Sequence, residues 1–200
     1  MKKTPTEVKM SIPAMNIGRM SVTIKGTTPL IFHRWSEKAK KMMLDKQMKK
    51  AQKGREIRNP NQEYKESYYK DADKDIAFPA LAIKQSIVNS ARNLNDVKMT
   101  LLRGAIFIVG DKDGLIKVKY ESEEMREDMV RVGMGTADLR FRGQVNNWSM
   151  TFMVEFNADV VSAEQIINLL QVAGFACGLG EWRPEKNGDY GRFVPELVTQ

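Results

Sequence analysis

The chain is short of the residues that most covalent and metal chemistry needs. Its 200 residues hold one cysteine, Cys177, and one histidine, His33. A single cysteine excludes an internal disulfide and predicts a reducing compartment. Cys177 reads as a small buried residue before Gly178. No Walker phosphate loop, dinucleotide fingerprint or Ser-His-Asp spacing is present. Asp71, Asp73 and Asp75 lie close together, but without the glycine and terminal glutamate of a calcium loop they read as a solvated turn, and no metal is expected. No apolar run approaches the roughly 18 residues of a spanning helix. The lysines of "MKKTPTEVKM" are followed by no apolar stretch, so no secretory signal is expected. These absences predict a soluble intracellular domain with no cofactor and no membrane partner.

Negative charge is scarce in the first part of the chain. The whole carries 32 Lys+Arg against 25 Asp+Glu, a net of +7. Residues 1–75 hold 18 basic and 9 acidic residues, and Lys38–Arg58 alone holds nine basic and two acidic. This window accounts for the net charge of the chain and points to a polyanionic partner. A lysine run is also what a solvated helix face looks like, and both readings stay open here.

"SVTIKGTTPLIFHR" (Ser21–Arg34) reads as a strand, with Val22 and Ile24 alternating with polar residues and Pro29 marking a bulge or edge. Ser36 is a good N-cap for a helix with Glu37 in its first turn. Trp35, Ala39, Met42 and Met43 share a face that becomes Lys46, Lys49, Lys50 and Lys53, so the helix is expected to pack for two turns and then project or break. Residues 52–75 have little apolar periodicity and read as a long excursion. Its Tyr64, Tyr68 and Tyr69 either stack on bases or pack back on the body. "IAFPALAIKQSIVNSARNL" is an extended piece, then a helix opened by Pro79 with Ala80, Ile83, Ile87, Ala91 and Leu94 as a buried stripe and Lys84 and Arg92 off it. A hairpin is expected around Asp111–Gly114 and a second irregular excursion over 122–137. "DLRFRGQV" and "WSMTFMVEFNA" alternate as strands. Ser162 and Gln165 form a capping-box pattern ahead of another helix, and "RFVPELV" is a last strand. Strands with helices between them give an α+β domain, an antiparallel sheet with its helices on one face.

"GFACGLGEWRPEKNGDYGRF", from Gly174 to Phe193, holds five of the 14 glycines together with Trp182, Arg183, Lys186, Tyr190 and Arg192. Glycine lets backbone approach a ligand closely, and arginine binds anions. A helix C-cap followed by a turn would use the same residues.

Three stretches resemble the RAMP superfamily, the repeat-associated proteins of CRISPR systems. "FPALAIKQSIVNSAR" is similar to its "IPGSSLKGALR" motif, the stretch just quoted to its C-terminal glycine-rich loop, and "VTIKGTTPL" to its first strand. The first match lacks the glycine-serine pair before the helix, so the family's phosphate contacts there are not carried over. The chain also resembles small proteins of tailed bacteriophages and prophages through "TPLIFHRWSEKAKK", "REDMVRVG" and "AGFACGLGEWRPEKNG", over nearly its whole length. The resemblance implies an RRM-like, ferredoxin-like sheet with two irregular insertions, at about 52–75 and 122–137, in a single RAMP-like domain. It implies an RNA-binding fold that, in backbone subunits of CRISPR effectors, polymerises along a strand.

The leading expectation is a phage-encoded, non-enzymatic binder of single-stranded nucleic acid, DNA ahead of RNA, that oligomerises along the strand in replication or recombination. It would act in the cytoplasm of the bacterial host, beside a phage exonuclease or helicase. Its expected anion ligands are Lys40, Lys41, Lys46, Lys49, Lys50, Lys53, Arg55 and Arg58 of the basic window, Lys84 and Arg92 of the following helix, and Arg183, Lys186 and Arg192 of the glycine stretch. Tyr64, Tyr68, Tyr69, Trp182 and Tyr190 are the expected stacking residues, and Gly178, Gly180, Gly188 and Gly191 the expected phosphate-approach loop. Two other readings stand beside it. One is a metal-independent endoribonuclease with His33 as general acid–base, as the resemblance implies for RNA-processing relatives. The other is an interaction protein that engages a host defence complex.

Overall fold

The structure is a computed structural model that describes residues 13–50, 57–132 and 135–197. Six elements build its centre: strand β1 (Ile17–Gly26), helix α3 (Ala80–Ser90), strands β5 (Ile106–Val109) and β9 (Ser149–Asn157), helix α5 (Ala163–Val172) and strand β10 (Phe193–Leu197). Their chain order is β-α-β-β-α-β, and their order across the antiparallel sheet is β10-β1-β9-β5. That is the ferredoxin-like arrangement. The period-2 pattern of β1 and β9 places Val22, Ile24, Met150, Phe152, Val154 and Phe156 on one face, all buried against Ile83 and Ile87 of α3 and Ile166 and Leu170 of α5. Both caps follow the sequence: Ser36 Oγ accepts from the Ala39 amide, and Ser162 forms the reciprocal box with Gln165.

The other face is largely polar on the two central strands, with Met153 among its polar residues, while the edge strands add exposed Phe107, Val109 and Val194. The Thr23 and Thr151 hydroxyls meet at 2.8 Å, Arg19 pairs with Glu155 at 2.8 Å and Lys25 with Glu196 at 2.6 Å. On the two central strands no aromatic residue alternates onto that face. It is therefore no stacking platform of the kind an RRM presents.

Two insertions enlarge the centre. The first, residues 27–79, holds β2 (Leu30–Ile31), α1 (Glu37–Gln47), α2 (Pro60–Glu66), β3 (Tyr69–Lys70) and β4 (Ile76–Pro79). The second, residues 110–148, holds β6 (Leu115–Lys117), β7 (Ser122–Val132) and β8 (Thr136–Asn146). Strands β2, β8 and β7 form one small sheet, and β3, β4 and β6 another.

Several expectations are corrected. Helix α1 buries no residue; Met42 is 61% exposed and Trp35 52%, so its apolar face packs on nothing in the described chain. The segment around the tyrosines is ordered into α2 and β3. Tyr68 is buried with its ring tilted against Phe32 at 5.0 Å, while Tyr64 and Tyr69 pack on the same core. Tyr68 therefore offers no ring face to a base. Residues 122–132 form the long strand β7, not an irregular excursion, because it pairs with β8 from Ser122 opposite Asn146 to Val132 opposite Thr136. Its inward face is charged: Asp128 receives Arg126 at 2.6 Å and Arg142 at 3.2 Å. The turn at Asp111–Gly114 exists, with the Gly114 amide donating to Asp111, but β5 and β6 leave it for different sheets. Residues Met99–Ala105 before β5 are the short helix α4.

Candidate functional site

The glycine stretch begins where α5 widens into a π turn, Ala173–Cys177, a local insertion frequent at functional positions. The chain then folds back on β2: the Glu181 amide donates to the Ile31 carbonyl at 3.0 Å and the Leu179 amide to Gly191 at 2.9 Å. Gly178, Gly180 and Gly191 have positive φ. A Cβ at Gly180 would stand 2.4 Å from the Ile31 oxygen, and one at Gly188 1.9 Å from the Trp182 oxygen. These glycines therefore admit the protein's own backbone. No ligand is needed to account for them, and the closeness expected toward phosphate is taken up within the fold.

This folding-back carries Glu181 to His33, just past β2, with Nδ1 and Oε1 2.7 Å apart. The hydrogen bond to His33 holds the Glu181 carboxyl below its ordinary range, against the opposing effect of burial and with help from the positive charges of Arg142 and Arg183. His33 and Glu181 line a cleft of about 180 Å³ with Ser86 and Asn89 of α3, Gly178–Glu181, Arg183 and Glu185. Glu185 is its electrostatic hub, accepting from Asn89 at 2.8 Å and pairing with Arg183 at 3.1 Å and Arg92 at 3.4 Å. Neither glutamate was singled out from the sequence. The signal was there in Arg183-Pro-Glu185, an arginine two residues from an acid, but their partners come from α3 and β2, far away in the chain.

The remaining expected residues divide into free and engaged cations. Lys41, Lys46 and Lys49 are exposed without an ion pair among the described residues, while Lys40 pairs with Glu37 at 2.8 Å and Lys50 with Asp45 at 3.4 Å. Lys53 and Arg55 lie outside the described residues. Arg58 is corrected from anion ligand to structural clamp: it binds Glu63 and Asp138, donates to the Leu139 carbonyl and lies 5.7 Å over Phe141. Its charge is already matched, and the hydrogen bond to Glu63 raises its pKa. Arg192 covers Phe175 at 5.0 Å and Arg126 covers the Tyr190 ring at 4.5 Å, so one face of that tyrosine is occupied. Trp182 is half-buried at φ 52°, with its indole nitrogen shielded and unpaired. Lys186 is exposed at the end of a short turn, Pro184–Lys186.

Beside the cleft, and sharing Tyr69 and Pro79 with it, opens a wider groove lined by Arg34, Lys65, Lys70 and Lys84. Lys84 Nζ sits 3.8 Å over the Phe107 ring. Among the described residues no group of three or more His, Cys, Asp or Glu has the geometry to hold a metal ion, and no helix is long and apolar enough to cross a membrane.

No protein family and no curated protein matches the sequence. Solved structures do match. The crystal structure of Cmr6 from Pyrococcus furiosus aligns over 92% of this chain and 100% of that one at 12% identity, with a TM-score of 0.43. A chain of the type III-B Cmr-beta complex bound to cognate target RNA aligns over 90% of this chain and 59% of its own length, at 11% identity and a TM-score of 0.51. With the β10-β1-β9-β5 order, the second likeness shows that this chain shares an α+β, ferredoxin-like fold with that one.

Proposed function

We propose that the protein is a nucleic-acid-binding RAMP-like subunit that holds single-stranded DNA or RNA and assembles along it. The observation that carries this reading is helix α1. It buries nothing, carries the unpaired Lys41 and Lys46 into solvent, and exposes Met42, Met43 and Leu44 beside them. Unpaired ammonium groups attract phosphates, and an apolar stripe with no intramolecular partner suits a neighbouring subunit. The RNA bound by the Cmr-beta complex adds support for a strand as ligand. A phage-encoded role in replication or recombination, with an exonuclease or helicase nearby, extends the same reading.

A gel shift with single- and double-stranded DNA and RNA tests it. Single strands are expected to shift at lower protein concentration than duplexes. Equal shifts with all four forms, or none at low salt, would reject the proposal.

The 2.7 Å His33–Glu181 pair in a half-open cleft favours a second reading, metal-independent RNA cleavage. A carboxylate oriented on an imidazole is an arrangement for proton transfer. RNA cleavage that disappears in His33→Ala would place this reading ahead of binding alone; no cleavage by either protein leaves binding as the function.

A further inference from the structure

The groove beside the cleft gives the nucleic-acid reading, on which this inference rests, a route for the strand. Its volume is about 1,110 Å³, just above the roughly 300–1,000 Å³ of small-molecule sites, which leaves room for an extended chain segment. Four elements supply its cations: Arg34 after β2, Lys65 on α2, Lys70 on β3 and Lys84 on α3. Two acids share the lining. Glu66 already accepts from Gln62 at 2.8 Å, and Asp113 lies in the exposed turn before β6. Arg34 pairs with Glu37 at 3.0 Å, whereas Lys65, Lys70 and Lys84 have no carboxylate partner among the described residues.

Lys84 is the informative member. Arg58, Arg126, Arg142 and Arg183 all meet an acid. Lys84 instead rests on an aromatic ring, and burial alone lowers its pKa. A partly desolvated ammonium without a counter-ion is stabilised by an incoming anion. Beside it Phe107 is 50% exposed and Leu81 72% exposed. A simple anion would satisfy the lysines and leave these apolar surfaces wet. An unpaired strand supplies phosphates for the first and base faces for the second, whereas a duplex keeps its base faces stacked.

We infer that this groove is the strand-binding track, with backbone phosphates on Lys84, Lys65 and Lys70 and a base against Phe107. Because Tyr69 and Pro79 line both cavities, the track runs directly beside the His33–Glu181 cleft.

The experiment is fluorescence anisotropy of the full-length protein with labelled short single strands, one DNA and one RNA, across a salt series. The variants are Lys84→Met, which keeps the stem over Phe107, Lys70→Glu on the exposed edge, and Phe107→Leu; thermal unfolding confirms that each is folded. Lys84→Met is expected to weaken binding and reduce the steepness of the log-affinity against log-salt plot by about one. Phe107→Leu is expected to weaken binding roughly 5- to 150-fold, the span of base–aromatic stacking, with the salt slope unchanged. Unaltered affinity in all three variants, while Lys41→Met and Lys46→Met on α1 lose binding, would overturn the groove and leave the nucleic-acid reading standing. No strand binding by the unaltered protein would overturn both. Binding of an acidic peptide as tightly as the strand, with Phe107→Leu silent, would also overturn the inference and point to a protein partner.

Discussion

A methyl group at residue 191 would stand 1.8 Å from the Leu179 carbonyl oxygen, on a backbone at φ +66°. Left-handed backbone costs a side chain about 1–2 kcal/mol, and forced overpacking about 1–3 kcal/mol more. Gly191→Ala is therefore expected to lose at least about 2 kcal/mol, measured as a lower urea midpoint with an unchanged slope. Glu181 is the second residue whose surroundings decide its behaviour. Its folded-state pKa lies below the ordinary value. The stability it contributes is thus present above the unfolded value, about 4.3, and is lost as pH falls through the lower folded one. Glu181→Gln should be less stable than the unaltered protein near neutral pH, and the gap in denaturant midpoint should close once the pH drops below about 4. A gap that stays constant across that range would mean that the His33 contact does not hold the carboxylate. At this scale the sequence showed His33, Arg183 and the glycines but not what they touch. Gly180 reads as a ligand-approach residue until Ile31 is seen against it, and no local pattern links residues 149 positions apart.

The β7–β8 ribbon shows why one element was illegible. Strands are recognised by apolar residues alternating toward a core. Here Met125 and Met129 alternate outward, 47% and 75% exposed, while Arg126 and Asp128 point inward, where Arg126 and Arg142 both donate to Asp128. The period is present with its polarity reversed. That reversal makes the buried cluster fragile. Asp128→Ala would strand Arg142, which is 6% exposed, without its carboxylate, and removing one partner of a buried pair costs about 3–5 kcal/mol. Loss of the ribbon should appear as faster amide exchange over 122–146 with the central sheet still protected. Helix α1 is the opposite case. Its cap and its lysines were legible, but the expected packing of Met42 and Met43 was not observed, because a two-turn apolar stripe looks the same whether its partner is intramolecular or another chain. Replacing Lys41 and Lys46 together by methionine should leave the unfolding midpoint within the ~0.5 kcal/mol of ordinary surface changes and weaken strand binding; a large loss of stability would mean that the helix packs on the body in solution.

For the whole molecule, the ferredoxin-like centre was legible because its alternating strands and capped helices each point to the same fold. That two insertions enlarge it was legible too, but their strands were not, since β2, β3 and β6 are two or three residues long and owe their existence to partners far along the chain. Their effect is to wall a basic groove and a histidine cleft beside a sheet whose central strands carry ion pairs and hydroxyls on their open face. Assembly belongs to this scale too. Light scattering with a strand many times longer than one subunit should show particles growing with strand length, and a monomer with and without it would remove assembly from the account. The most direct measurement of the central claim is a salt titration of affinity for one sequence as single strand and as duplex. The expected result is tighter single-strand binding whose logarithm falls linearly and steeply with log salt, as several released counterions require. Binding that is flat with salt, or equal for strand and duplex, would contradict it.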